Sequence, residues 1–202
     1  MPQPLHYLKE TPSQTADPFV HIGLAPGAAG FDIYREELGG QIAAADTPGQ
    51  RIRVEGRVID GTGAPVKDVL IEVWQADGNG IHPHPEDPRH ADCAPGFRGW
   101  ARVVPDFETG VFRLDTTKPG SVPGRSGSTQ APHLSLWLVA RGINIGLQTR
   151  MYFGDEDNAA DPLLNLIEQP HRRETLIALA DGEVYRFDIH LQGDKETVFI
   201  DV

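Results

Sequence analysis

Polar and apolar residues alternate over short stretches of this chain, and the stretches recur with turn signals between them. RIRVEGRVID (51–60) places Ile52, Val54 and Val58 on one face, as a half-buried strand requires. The turn DGTGAPV follows, then VLIEVWQA (Val69 to Ala76), so the pattern predicts a β-hairpin or meander unit. GWARVV and VFRLDT flank PDFETG and predict a second hairpin. HLSLWLVAR, LQTRMYF, VYRFDIHLQG and TVFIDV read as further strands. One region, DEDNAADPLLNLIEQPHRRETLIAL, is helix-like, and Pro162 and Pro170 interrupt it.

Residues 1–50 read differently. They are rich in Pro, Gly and Ala, and only FDIYREEL suits a turn or two of helix. Phe19, Val20, Ile22 and Leu24 make this segment too apolar for a solvated linker. It is expected to lie on another surface, its own or a neighbour's. The organisation is thus an N-terminal arm, 1–50, packing on a partner chain, and a domain, 51–202. The expected fold class is all-β: a β-sandwich of mainly antiparallel strands with an extended N-terminal arm and one short helical region.

Composition narrows the function. The 22 Gly and 17 Pro among 202 residues fit a turn-rich β protein. Lys and Arg total 18 against 29 Asp and Glu, a formal net charge of -11, which argues against nucleic acid and anionic membranes as partners. One well-placed Arg still suffices for a small anion. Cys93 is the sole cysteine, so no intrachain disulfide forms. The start shows no secretory leader, and no apolar run nears the roughly 20 residues of a membrane helix. A soluble cytoplasmic protein is the simplest expectation.

Two segments hold candidate metal chemistry. In QAPHLSLW, His133 and Ser135 share a strand face, so a second His at 135 would have made half of a metal site. GIHPHPEDPRHADC holds His82, His84, Glu86, Asp87, His90, Asp92 and Cys93, a density that suits a borderline metal such as zinc. Its spacing fits no compact zinc motif, and its prolines spread it into an extended loop. A solvated loop lying against a partner is the better reading.

Taken in order, ETPSQTADPFVHIGLA, VEGRVIDGTGAPVKDVLIEVWQADGNG, TTKPGSVPG, APHLSLWLVARGINIGLQTRMYF, LNLIEQPHRRETLIA and YRFDI resemble the intradiol ring-cleavage dioxygenases. The likeness runs from about Glu10 to the C-terminus. ARGINI and the NLIEQPHRRETLIA run are similar to the alpha-type chains of the members built from two kinds of chain. The resemblance implies a β-sandwich whose arm wraps an iron-binding beta-type partner in a heteromer of alpha/beta pairs. It implies a beta chain that holds Fe(III) through two Tyr and two His. It also implies a reaction that inserts both atoms of dioxygen between the hydroxyl-bearing carbons of protocatechuate.

Laid on that ligand pattern, the two Tyr positions fall at or next to Arg89 and at Val122, and the two His positions at His133 and Ser135. One ligand of four remains. Ferric iron is a hard ion that demands anionic oxygen donors; Arg repels it and Val offers nothing. No metal ligand and no catalytic residue is therefore expected in this chain, and the Fe(III) cofactor is expected in the partner beta chain. His133 is expected to be structural.

What the chain would contribute is substrate contact. The resemblance places Thr15, Ala16, Asp17, Pro18 and Phe19 at the mouth of the partner's site. Here the family pattern of Gly then Pro-Tyr is replaced by Asp17, Pro18 and Phe19, which keeps a ring, loses its hydroxyl and adds a charge. The bland alternative is that these residues only pack the arm down. Arg141, at the end of HLSLWLVAR, matches a substrate-contacting Arg of the family, and a guanidinium binds a ring carboxylate in a two-bonded fork. A surface or interface ion pair is its alternative role. Arg150 is a weaker candidate. A rival for the whole chain is a transthyretin-like β-sandwich binding module with no catalytic role, which leaves the arm and ARGINI unexplained.

Overall fold

The first strand, β1 (Arg51–Ile59), shows the alternation most plainly, with Ile52, Val54, Gly56 and Val58 buried and Arg53 and Arg57 exposed. Gly56 keeps the period without a side chain because a Cβ there would lie 1.8 Å from the Phe187 carbonyl oxygen. The computed structural model describes residues 19–34 and 39–201. Within them the strands that follow are β2 (Leu70–Trp74), β3 (Trp100–Val103), β4 (Val111–Thr117), β5 (Val122–Pro123), β6 (Thr129–Gln130), β7 (His133–Val139), β8 (Leu147–Phe153), β9 (Ile177–Asp181), β10 (Val184–Arg186) and β11 (Ile189–His190).

These strands form two facing halves. In one, β1 pairs antiparallel with β4 and parallel with β10 and β11. In the other, β3, β2, β7 and β8 are successive antiparallel neighbours. Strand β9 belongs to both: Ile177 and Ala178 run parallel to β8, while Leu179–Asp181 run antiparallel to β10. The apolar faces close on each other. Val54, Phe112, Leu114 and Tyr185 from the first half share one core with Val73, Leu136, Leu138 and Met151 from the second. The fold is the all-β sandwich that the alternation implied.

The structure corrects several local expectations. Neither hairpin forms: β1 does not pair with β2, nor β3 with β4. The Gly-rich turns after β1 and β3 carry the chain across the sandwich to the opposite half. A turn signal marks reversal of direction but leaves open which sheet receives the next strand. TVFIDV is not a strand. Instead Thr197 and Ile200 each donate one backbone hydrogen bond, to His190 and Gln148. The helix-like region reduces to a 3-10 turn, Leu164–Leu166, and α2 (Pro170–Glu174), which Pro170 opens; a shorter helix, α1 (Val20–Leu24), lies upstream. Phe31–Tyr34 of FDIYREEL are not helical, and residues 35–38 lie outside the described residues.

The arm divides in the structure. Ile42 and Ala43 enter the core, and the Arg98 N–H donates to the Ile42 carbonyl at 2.8 Å. Arg102 bonds the Gly39 carbonyl through its backbone and the Leu24 carbonyl through Nη1. Ahead of this anchored part, Phe19, Phe31, Ile33 and Tyr34 are exposed. Among the described residues no helix is long and apolar enough to cross a membrane.

Candidate functional site

Asp77 organises the loops above the second half. Its buried carboxylate accepts the backbone N–H of Asn79 (2.9 Å), Ile81 (2.9 Å) and Ala94 (2.8 Å), and its carbonyl accepts that of Gly120 (2.8 Å). Gly80, at φ +72, touches the 120–121 loop so closely that a Cβ would meet the Ser121 carbonyl at 1.9 Å. Two segments far apart in sequence, 77–94 and 118–123, are thereby held together at one end of the sheet.

Beneath them lies a cavity of about 550 Å³. Its walls include Arg89, Val122, His133 and Ser135, the positions at or next to which the family resemblance places the iron-ligand pattern. His133, 8 % exposed, opens β7, and its Nδ1 lies 2.8 Å from the Ala131 carbonyl. That carbonyl requires Nδ1 to carry the proton, which leaves the lone pair on Nε2. Burial, with the nearby charge of Arg150, pushes the imidazole down to about 4. His133 is therefore neutral near pH 7. Its ring lies beside Tyr152, whose hydroxyl donates to the buried Asp161 at 3.0 Å.

Arg89 is tied to Asp87 through Nε (3.1 Å) and Nη2 (2.9 Å), and Nη2 also reaches the Gly80 carbonyl. These hydrogen bonds hold the Asp87 carboxyl down to about 2, so the pair is ionised and internally neutral. Val122 is buried and Ser135 half-buried. One neutral imidazole, one hydroxyl, one paired guanidinium and one hydrocarbon do not make a ferric site, which needs anionic oxygen donors. In the loop between His82 and Cys93, His82 stacks on Trp74 at 5.6 Å while His90 faces its own turn. Among the described residues no three His, Cys, Asp or Glu side chains converge as a metal ion requires.

The cavity also gathers residues that sequence reasoning did not group: Trp74, Gln130 and Arg150. Trp74 pairs directly with Ser135 across β2 and β7, and Ser135 with Arg150 across β7 and β8. Period-two alternation marks each as outward-facing; only the strand register shows that they are neighbours.

Arg141 is not brought to this cavity. It lies past the far end of β7, roughly 20 Å or more from His133. Its side chain is 66% exposed and its Nε stands 3.1 Å from Asp68 Oδ2. Phe19 is 65% exposed at the start of the α1 turn. Thr15, Ala16, Asp17 and Pro18 lie outside the described residues.

A family model described as "Dioxygenase" matches residues 35–193, and the chain belongs to the intradiol ring-cleaving dioxygenase family. It is 50% identical over 98% of its length to the protocatechuate 3,4-dioxygenase alpha chain of Pseudomonas putida, 99% of which is covered. It is also 37% identical to the protocatechuate 3,4-dioxygenase beta chain of Burkholderia cepacia, over 74% of this chain and 67% of that one. Among solved structures, the dioxygenase domain of a carbohydrate-binding protein fusion from Streptomyces sp. SirexAA-E superposes with a TM-score of 0.54. The covered shares are 83% of this chain and 95% of that one, and at 23% identity the likeness is one of fold. The transthyretin-like binding module is set aside by these matches.

Proposed function

We propose that this chain is the alpha subunit of a cytoplasmic protocatechuate 3,4-dioxygenase and completes the substrate pocket of an iron-bearing beta chain. The reaction joins protocatechuate and dioxygen: the ring bond between the two hydroxyl-bearing carbons breaks, and 3-carboxy-cis,cis-muconate forms. The observation that carries this reading is the cavity at His133. Arg89, Val122, His133 and Ser135, at or next to which the resemblance reads the family's ligand pattern, line one cavity. A chain so close to alpha chains, with a donor set that rejects ferric iron, needs its metal from a partner.

The arm supplies the contact. Its exposed Phe19, Phe31, Ile33 and Tyr34 form an apolar surface with no cover from this chain's described residues, which fits residues 1–50 reaching a partner while Ile42 anchors them. Thr15, Ala16, Asp17, Pro18 and Phe19 then line the mouth of the partner's site. Arg141, exposed on a loop at a strand end, orients the substrate carboxylate.

The test is metal analysis with co-expression. The single chain is expected to purify without iron and without activity, and to become active toward protocatechuate when produced with a beta-type chain. Stoichiometric iron with a red-brown tyrosinate colour in the single chain would overturn the proposal.

A further inference from the structure

We propose that the free edge of β4 pairs with β4 of a second copy of this chain, so that two copies share one continuous sheet. The Lys118 N–H donates to the Gln50 carbonyl at 2.8 Å, which sets the alternation of the β1–β4 ladder. Phe112, Leu114 and Thr116 therefore turn their backbone groups toward β1, and Arg113 and Asp115 turn theirs away. Among the described residues β4 pairs with β1 alone, and the N–H and carbonyl of Arg113 and Asp115 meet no partner. The strands at the other edges, β3 and β11, are covered. The Gly39 carbonyl accepts the Arg102 N–H of β3, Ala43 bridges to Phe97 beside it, and the Thr197 N–H donates to the His190 carbonyl of β11. An open strand edge is a template for another strand.

Charge chooses both the occupant and the register. Arg113 and Asp115 are exposed on the outer face, while Phe112, Leu114 and Thr116 are buried. In an antiparallel pair about a twofold axis at Leu114, Arg113 of each copy lies opposite Asp115 of the other. These opposed residues exchange both of their backbone hydrogen bonds, at two places related by the axis. In the adjacent registers that keep the same groups facing, Arg113 meets Arg113 or Asp115 meets Asp115, and like charges directly opposite repel. The favoured register also extends a row already built within the chain. Asp115 is bonded to Arg53 (2.7 Å) and Arg113 to Glu55 (3.2 Å). Across the join the row runs Arg53 and Asp115, then Arg113 and Glu55 of the second copy, and alternates in sign on every strand. Charges on an edge strand turn away strands of other sequence, and these same charges admit β4 itself in one register.

The test is sedimentation of the full chain over a range of concentrations, with amide hydrogen exchange read residue by residue. Wild type is expected to form a dimer with a dissociation constant below about 100 µM. The amides of Arg113 and Asp115 are expected to exchange at least about tenfold more slowly in the dimer than in the diluted monomer. Asp115→Arg and Arg113→Asp each set like charges opposite one another in a self-pair, and each alone is expected to be monomeric. Mixed in equal amounts, the two variants set opposite charges at both places and are expected to form a heterodimer, which also shows that both fold. A wild-type chain that stays monomeric up to about 100 µM would overturn the proposal. So would a dimer in which these two amides are not slowed, a dimer that persists in either variant alone, or a mixture of folded variants that stays monomeric. If either variant fails to fold, the wild-type exchange at Arg113 and Asp115 decides.

Discussion

Arg141 and Asp68 join the end of β7 to the approach of β2: Arg141 Nε stands 3.1 Å from Asp68 Oδ2, with the carboxylate largely buried and the guanidinium largely in solvent. One edge of the guanidinium is thus held while the rest faces outward. An ion pair with its guanidinium largely in solvent adds little to stability, and under the proposed function it would serve to aim Arg141. In the enzyme reconstituted with a beta-type chain, Arg141→Ala should raise the KM for protocatechuate about tenfold or more, and far less for catechol, which lacks the carboxylate. Asp68→Asn should produce a weaker change of the same kind with kcat unchanged. Steady-state kinetics on both substrates checks this; equal effects on the two would remove the carboxylate role.

His133 makes stability depend on pH. Burial and Arg150 depress its imidazole from 6.5 to about 4. An unfolded chain therefore binds this proton between those values while the folded chain does not. The stability contributed by neutral His133 is full above about 6.5 and is lost as pH falls toward 4, at most about 3 kcal/mol. Urea unfolding at pH 7 and pH 5 should show wild type losing more stability than His133→Gln. Equal losses would contradict the buried, neutral assignment.

Gly56 tolerates no side chain. A Cβ at this position would stand 1.8 Å from the Phe187 carbonyl oxygen and 2.9 Å from the Phe112 ring. Gly56→Ala must move backbone in the middle of β1 and is expected to cost about 3 kcal/mol or prevent folding. Thermal unfolding of the variant is the measurement.

Lys118 is a cation enclosed by the fold. Its Nζ lies 2.8 Å from Asp155 and 2.6 Å from Glu156, and 5.4 Å from the centres of both the Phe153 and Tyr185 rings. Burial opposes the charge, but the bonds to Asp155 and Glu156 outweigh it and raise the lysine above its usual range. Burial likewise opposes the Asp155 charge, and the bonds from Lys118 and the Tyr185 hydroxyl together outweigh it and lower that carboxyl. The stabilisation is accordingly present from about pH 4 to about pH 10.5, lost below as Asp155 protonates and above as Lys118 deprotonates. Lys118→Met should lower stability by about 2 kcal/mol at pH 7, read from denaturant midpoints. No change would show the cluster to be incidental.

Phe19 tests the arm. At 65% exposure it holds little of this chain together, so Phe19→Ser should change the chain's own unfolding by less than about 0.5 kcal/mol. The same change should weaken association with the beta-type chain, measured by analytical ultracentrifugation of the mixture.

By itself the sequence determined the strand class and the core face of β1. Alternation in 51–59 names Ile52, Val54 and Val58 as inward, because neighbouring side chains on a strand must point to opposite faces. Together with the family resemblance it also set the expectation that this chain holds no ferric ion, since Arg89, Val122 and Ser135 are unfit donors wherever they lie. Partnering was decided only by the tertiary structure. The turns after β1 and β3 read as hairpin loops, yet each crosses to the opposite half, because a local turn conformation carries no record of which sheet edge receives the next strand. The row Trp74, Ser135 and Arg150 depends on the register of three strands distant in sequence, and one residue of slip would have turned any of them to the other face.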